Sequence, residues 1–322
     1  MPTVRLTPSG TGGPRCYRWP VRIVSLLPSA TEILFAIGAG DDVLGVTFEC
    51  DFPPEARQRR IVSSTGLPHG LTPGEIDTEV RSRIAAGEDL YALDEGALRD
   101  LDPDLVVTQD LCAVCAVDVS EVGAALDHLG CKATVLTLDP MTLDDVLATI
   151  GAVGAATGRT EAAARLTDSL RHRRDAVVRA VAGLGRPAVA VLEWTDPPFS
   201  SGHWVPDMVA SAGGLSVLGT SGTRSVPLRW EDLAAAHADV IVVAPCGYRL
   251  DGAKGLAERL IDEGRLPDGI PVWAVDADAA FVRPGPRLVD GIEALAAIVH
   301  PGCLPVPRDL AAAVRGPSPA TG

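Results

Sequence analysis

The sequence predicts an α/β protein made of two lobes with mainly parallel sheets, joined by one long helix. Three observations carry this. Short runs rich in Val, Leu and Thr alternate with helical or loop segments, the pattern of a parallel sheet. One stretch, starting at Thr160, keeps helical character for about 25 residues, about 37 Å at 1.5 Å per residue and long enough to span a domain. The 322 residues also exceed what one ordinary core accommodates and suit two domains of roughly 150.

The elements follow in order. "VRIVSLLPSATEILFAIGAG" opens as a strand, turns at Pro28 and continues with Ile33, Leu34 and Ile37 in helical spacing. Ser29 is the expected N-cap with Glu32 completing a capping box, and Gly38 and Gly40 close the helix. "DVLGVTFECDFPPEA" reads as a strand ending near Cys50, stopped by a double proline that cannot continue a ladder. "RRIVSSTG", "PDLVVTQ" and "KATVLTLDP" are three further strands. From Met141 to Leu184 the pattern is helical, parted at Gly158, with a capping Thr160 opening the long helix. After Pro187 the alternation resumes: the strand "AVAVLEW", a helix around "VPDMVASAGG", the strands "DVIVVAP" and "PVWAVDAD", and the helix "RLVDGIEALAAIVHPG". The expected division is a flexible tail over 1–20, an N-terminal lobe over 21–140, connecting helices over 141–185, a C-terminal lobe over 186–304 and a flexible tail over 305–322.

Composition excludes several classes. A net charge of −14, with no basic stripe interleaved with aromatics, argues against a nucleic-acid partner. The longest apolar runs fall far short of the roughly 18 residues that a membrane span needs, so membrane insertion is not expected. The first 20 residues show no apolar h-region, cleavage site or lipobox, so the expected location is the cytoplasm. No Walker loop, nucleophile elbow or dinucleotide fingerprint is present.

Open parallel sheets bind ligands outside the carboxyl ends of their strands. Cys50, the Cys112/Cys115 pair of "DLCAVCAVD" and Cys246 all follow predicted strands, so four of the seven cysteines are candidates for one inter-lobe cleft. Thiolates bind zinc, copper(I) or the iron of iron–sulfur clusters, so a thiolate-held metal or cluster is one reading. Dithiol redox chemistry or covalent ligand capture is a second, and inert buried cysteines a third. In "LEWTDPPFSSGHWVPDM", Glu193 and His203 are candidate ligands or a proton-transfer pair. His203 and Trp204 can equally be a cap-region residue and a core anchor. Glu49 and Asp51, flanking Cys50, would add oxygen ligands. His69, His128 and His237 have no partner spacing and are read as surface residues.

The segments "RIVSLLPSATEILFAIGAGDDVLGVTFECDFPPEA", "LRDLDPDLVVTQ", "DPPFSSGHWVPDMVASAGG", "WEDLAAAHADVIVVAP" and "FVRPGPRLVDGIEALA" together resemble the helical-backbone solute-binding proteins that serve ABC importers for cobalamin, iron siderophores and haem. The resemblance runs from Val21 to Pro301. It implies two Rossmann-like lobes, a ligand cleft between them, a small-molecule or metal-chelate ligand and an ABC-importer permease as partner. It also implies aromatic walls around a corrin ring, yet this chain carries Glu49, Gln109 and Ala280 at the matching positions. Arg283 stands where the family places an arginine towards the ligand, and Trp194, Phe199 and Trp204 would supply walls from the second lobe. The leading expectation is a binder of a metal-containing ligand that takes cobalamin weakly or not at all. The alternatives are a cytosolic enzyme using the thiols with Glu193 and His203, and a conventional cobalamin-binding importer subunit.

Overall fold

A computed structural model describes residues 4–8, 21–86, 88, 90–109, 122, 126 and 132–316. The chain divides into two compact units. Unit 1 comprises residues 1–71, 78–140 and 144–168, and unit 2 comprises 72–77, 141–143 and 169–322.

In unit 1, β1 (Val4–Pro8), β2 (Ile23–Ser25), β3 (Val43–Val46), β4 (Arg60–Ile61), β7 (Leu105–Thr108) and β8 (Thr134–Leu138) form one sheet in the order β1-β8-β7-β2-β3-β4. The pairs β2–β3, β3–β4, β2–β7 and β7–β8 are parallel. A separate antiparallel pair joins β5 (Ser63–Thr65) to β6 (Tyr91–Leu93). Every residue of β7 is buried, as expected of a parallel strand covered on both faces. Val24, Leu26, Val62, Leu98, Val106 and Val135 belong to the core around these strands.

The first helix, α1 (Pro28–Ala36), departs from its expected cap. Its N-cap is Leu27, with no side-chain cap and with Pro28 at the start. Proline has a helical φ and no N–H to satisfy, so it opens the helix one position before the expected capping serine. Glu32, expected as the other half of a capping box, is instead buried. Gly38 does end the helix, at φ +77°, a conformation that glycine adopts without steric cost.

The helices α2 (Pro73–Ala86) and α3 (Glu95–Leu101) follow, with Asp94 capping α3 through the Ala97 N–H at 2.8 Å. Next come α4 (Leu143–Ala156) and α5 (Thr160–Ala180), parted around Gly158 as expected. The helix α5 has 21 residues and carries the chain from unit 1 into unit 2. Its unit 2 part is tied down by Arg173, which donates to Asp290 at 2.6 Å and to Glu293 at 2.8 Å.

Unit 2 is built on β9 (Ala188–Thr195), β10 (Pro198–Ser200), β12 (Val240–Val243), β13 (Val272–Val275) and β14 (Ala311–Arg315), in the order β10-β9-β12-β13-β14, with the short β11 (Leu215–Ser216) pairing beside β9. The pairs β9–β12 and β12–β13 are parallel. The intervening helices are α6 (Val205–Ser211), α7 (Trp230–Ala235), α8 (Leu250–Asp262), α9 (Ala277–Ala280) and α10 (Leu288–Val299).

Two expectations need correction. Residues 4–8, expected in a flexible tail, form β1, antiparallel to β8 with Arg5 donating to Asp139 at 3.2 Å. Residues 311–315, also expected in a tail, form β14, antiparallel to β13. Each covers an edge of a parallel sheet, which would otherwise present unpaired N–H and C=O groups. The partner strands lie far away in sequence, so local composition carries no sign of the pairing.

Candidate functional site

Each unit presents the carboxyl ends of its parallel strands, and the two sets of residues there differ in chemistry. In unit 1 a set of small side chains is joined by hydrogen bonds. The Thr31 hydroxyl, in the first turn of α1, donates to Ser25 Oγ at 2.9 Å and lies 3.0 Å from Cys50 Sγ. After β3, Thr47 Oγ1 and Ser63 Oγ are 2.7 Å apart. Cys50 is buried, and its N–H bonds to the Thr47 carbonyl. Glu49 is half-buried and accepts from the Tyr91 hydroxyl at 3.5 Å, and Asp51 pairs with Arg57 at 3.6 Å. Gln109, just past β7, is 3% exposed, and its Nε2 finds no acceptor among the described residues. Phe48 and Tyr91 pack ring to ring at 5.9 Å, an aromatic pair that sequence reasoning missed because it weighed only position 49.

In unit 2 the groups are larger. Trp194, near the end of β9, donates its indole N–H to the Asp196 carbonyl at 3.0 Å. It meets Tyr248, beyond the end of β12, edge to face at 5.9 Å. The Cys246 N–H bonds to the Glu193 carbonyl at 3.0 Å, holding the turn after β12 against the end of β9. Phe199 sits opposite Trp194 in the β9–β10 hairpin. Tyr248 went unnoticed in the sequence, although the rule that singled out Cys246 two residues earlier applies to it equally.

Glu193 precedes Trp194 on β9. It accepts from the Gly202 N–H at 2.9 Å and from the Ser225 hydroxyl. Burial pushes its carboxyl up to about 7, while the bonds from Ser225 and Gly202 pull the other way. His203 follows with φ +49°, and burial together with the nearby Arg224 charge lowers its pKa. Its Nε2 is buried and finds no partner among the described residues.

The predicted site residues are divided between the two units. Glu193, Trp194, Phe199, His203 and Cys246 lie on or beside the hairpin and the carboxyl end of β12 in unit 2. Trp204 does not belong with them: it is 5% exposed and donates to the Phe281 carbonyl at 2.7 Å, which makes it a core anchor. Arg283 is paired with Asp278 at 2.8 Å, with 10% of its side chain exposed. Cys112 and Cys115 lie outside the described residues. Of the other two candidate thiols, Cys50 is buried in unit 1 and Cys246 is exposed in unit 2. Among the described residues no group of three or more His, Cys, Asp or Glu side chains is placed to hold a metal ion.

Residues 23–266 match the model of a family described as periplasmic binding protein. The chain belongs to this family. Among its relatives, YvrC of Bacillus subtilis, named as an uncharacterized ABC transporter substrate-binding lipoprotein, is 26% identical over 88% of this chain and 81% of its own. A cobalamin-binding protein of Halobacterium salinarum is 25% identical over 87% of this chain and 70% of its own. Among solved structures, the periplasmic vitamin B12 binding protein BtuF of Vibrio cholerae superposes with a TM-score of 0.60 at 20% identity, covering 87% of this chain and 97% of its own. That likeness confirms the fold expected from sequence, an α/β chain of two lobes.

The expectation of a cytoplasmic protein is overturned. The relatives are lipoprotein or periplasmic substrate-binding proteins. The expectation rested on finding no apolar leader in the first residues, and that observation concerns only the segment in hand. The cytosolic-enzyme alternative loses its premise with it, and a solute-binding protein stands.

Proposed function

We propose that this protein is the substrate-binding component of an ABC importer and that its cargo is a cobalamin-type corrinoid. The observation that carries the reading is the Trp194–Tyr248 pair at the carboxyl ends of β9 and β12, two partly exposed aromatic rings where a parallel sheet presents its ligand-binding groups. Flat hydrophobic surface of this kind suits a conjugated macrocycle. The names of the relatives, ABC transporter substrate-binding lipoprotein and cobalamin-binding protein, support the same class.

Charge favours the corrinoid over haem. The chain carries a net charge of −14, which repels a ligand bearing two carboxylates and is indifferent to one rimmed with neutral amides. The resemblance assigns further aromatic walls to positions held here by Glu49, Gln109 and Ala280, so binding is weaker than three more aromatic faces would give. A Kd on the order of 1 μM for cobalamin follows as the expectation. Calorimetric titration of the purified protein with cobalamin, and in parallel with haemin, tests this. Binding of cobalamin that weakens in Trp194→Ala supports the reading; preference for haemin, or no response to either ligand, refutes it.

A further inference from the structure

Glu193 is placed as a clasp. Two segments of unit 2, residues 200–204 and 222–228, run against each other at the side of the β9–β10 hairpin. Ser200 N–H bonds to the Val226 carbonyl at 2.9 Å, His203 N–H to the Thr223 carbonyl at 2.6 Å, Gly222 N–H to the His203 carbonyl at 3.0 Å and Leu228 N–H to the Pro198 carbonyl at 2.7 Å. Contact at Gly202 is backbone to backbone, because a Cβ there would collide with the Arg224 and Ser225 main chain. Glu193 reaches both segments from β9, one carboxylate oxygen on the Gly202 N–H and the other on the Ser225 hydroxyl. The next residue along β9 is Trp194, cross-strand from Phe199, and Phe199 forms an isolated bridge to Pro227 on the second segment. The segment held by Ser225 is thus the far edge of the hairpin that carries the aromatic face.

We infer that Glu193 is a positioning residue for ligand binding: its carboxyl locks the 222–228 segment onto the β9–β10 hairpin and so fixes the orientation of Trp194 and Phe199. This rests on the reading of Trp194 as a ligand-contacting ring, but the clasp itself does not. A half-buried carboxyl bonded to two segments is costly to keep charged, and its upward-shifted ionisation, near 7, makes the clasp sensitive to pH around neutrality. The other titratable groups on the elements packed here are His203 and Arg224 on the two segments, Asp196 on the hairpin turn, and Cys246 and Tyr248 after β12. The groups that bond to the Glu193 carboxyl are Ser225 and Gly202, neither of which carries a charge.

The test compares wild type with Glu193→Ala, Glu193→Gln and Ser225→Ala, by amide hydrogen exchange and by cobalamin titration at pH 6 and pH 8. In Glu193→Ala, protection at Gly202 and across 222–228 should fall at least tenfold, and cobalamin affinity about tenfold. Glutamine has one carbonyl for Gly202 and one amide N–H for Ser225, so Glu193→Gln should restore both and remove the difference in protection that wild type shows between the two pH values. Ser225→Ala should loosen 222–228 while Gly202 stays protected, and it serves if Glu193→Ala fails to fold. Wild-type protection in both Glu193→Ala and Ser225→Ala, or a wild-type pH difference surviving in Glu193→Gln, overturns the clasp. A wild type that binds no cobalamin refutes the ligand reading alone, since the exchange arm still decides the clasp.

Discussion

The carboxyl ends of the two sheets show one scaffold dressed in two ways. In unit 1 the end of β2, the first turn of α1 and the loop after β3 carry Ser25, Thr31, Thr47 and Cys50, small groups that bond to one another and to the backbone. In unit 2 the end of β9 and the loop after β12 carry Trp194 and Tyr248 beside the Glu193 carboxyl. Both sheets have buried parallel strands at their centres, so the difference lies in the residues at and just past the strand ends. Hydroxyls and a thiol already bonded to one another have little to gain from covering an apolar ring, whereas the partly exposed Trp194–Tyr248 pair gains by its area. On the proposed function, recognition of a flat cargo falls to unit 2.

The largest expected effect tests the separation of Trp204, in the core of unit 2, from the aromatic face. Trp204 is buried and bonded to the Phe281 carbonyl, so Trp204→Ala should cost roughly 3–5 kcal/mol of stability in denaturant titration. Near-wild-type stability with lost ligand binding would instead return Trp204 to the ligand surface. The second effect is the pH dependence set by Glu193. Its carboxyl is raised from 4.5 to about 7, so the stability it contributes is complete below about pH 4.5 and is lost as pH rises through 7. Glu193→Gln should therefore gain on wild type by roughly 3 kcal/mol between those limits, a flatter profile in unfolding measured from pH 4.5 to pH 8. An unchanged slope would mean that the carboxyl is better solvated than its position indicates.

A third and smaller effect falls on affinity. Tyr248→Ala removes one edge-to-face partner and part of the ring's apolar area, and cobalamin affinity should drop about tenfold, near 1.4 kcal/mol. Equal loss on substituting Phe48 in unit 1 would erase the distinction between the two faces. Smallest is Thr31→Val, which leaves Ser25 Oγ and Cys50 Sγ without their shared partner and should cost about 1 kcal/mol of stability with no change in cobalamin binding.

The central strands and the long helix were legible because they are local signals. The run Leu105–Thr108 is rich in Val and fully buried, and α5 begins where expected, although Thr160 is its first helical residue and Arg159, whose carbonyl accepts from the Ala163 N–H, holds the cap position. The edge strands β1 and β14 were not legible, since each depends on a partner that no local pattern announces. At the site, Trp194, Glu193 and His203 could be picked out because they crowd the end of one predicted strand. Ser225 could not, because it meets Glu193 from 32 residues away through a loop with no regular period. Trp204 shows the limit of composition: an indole suits a ligand wall and a core equally, and only its bond to the Phe281 carbonyl separates the two.

The central claim is that the aromatic face of unit 2 takes the flat ring of a corrinoid. Calorimetric titration of cobalamin into wild type and Trp194→Ala at pH 7 tests it most directly. The account predicts a Kd on the order of 1 μM for wild type and a loss of ten- to a hundredfold in the variant, the 1.5–3 kcal/mol expected for one buried aromatic side chain. Equal affinity of the two proteins for cobalamin would contradict it.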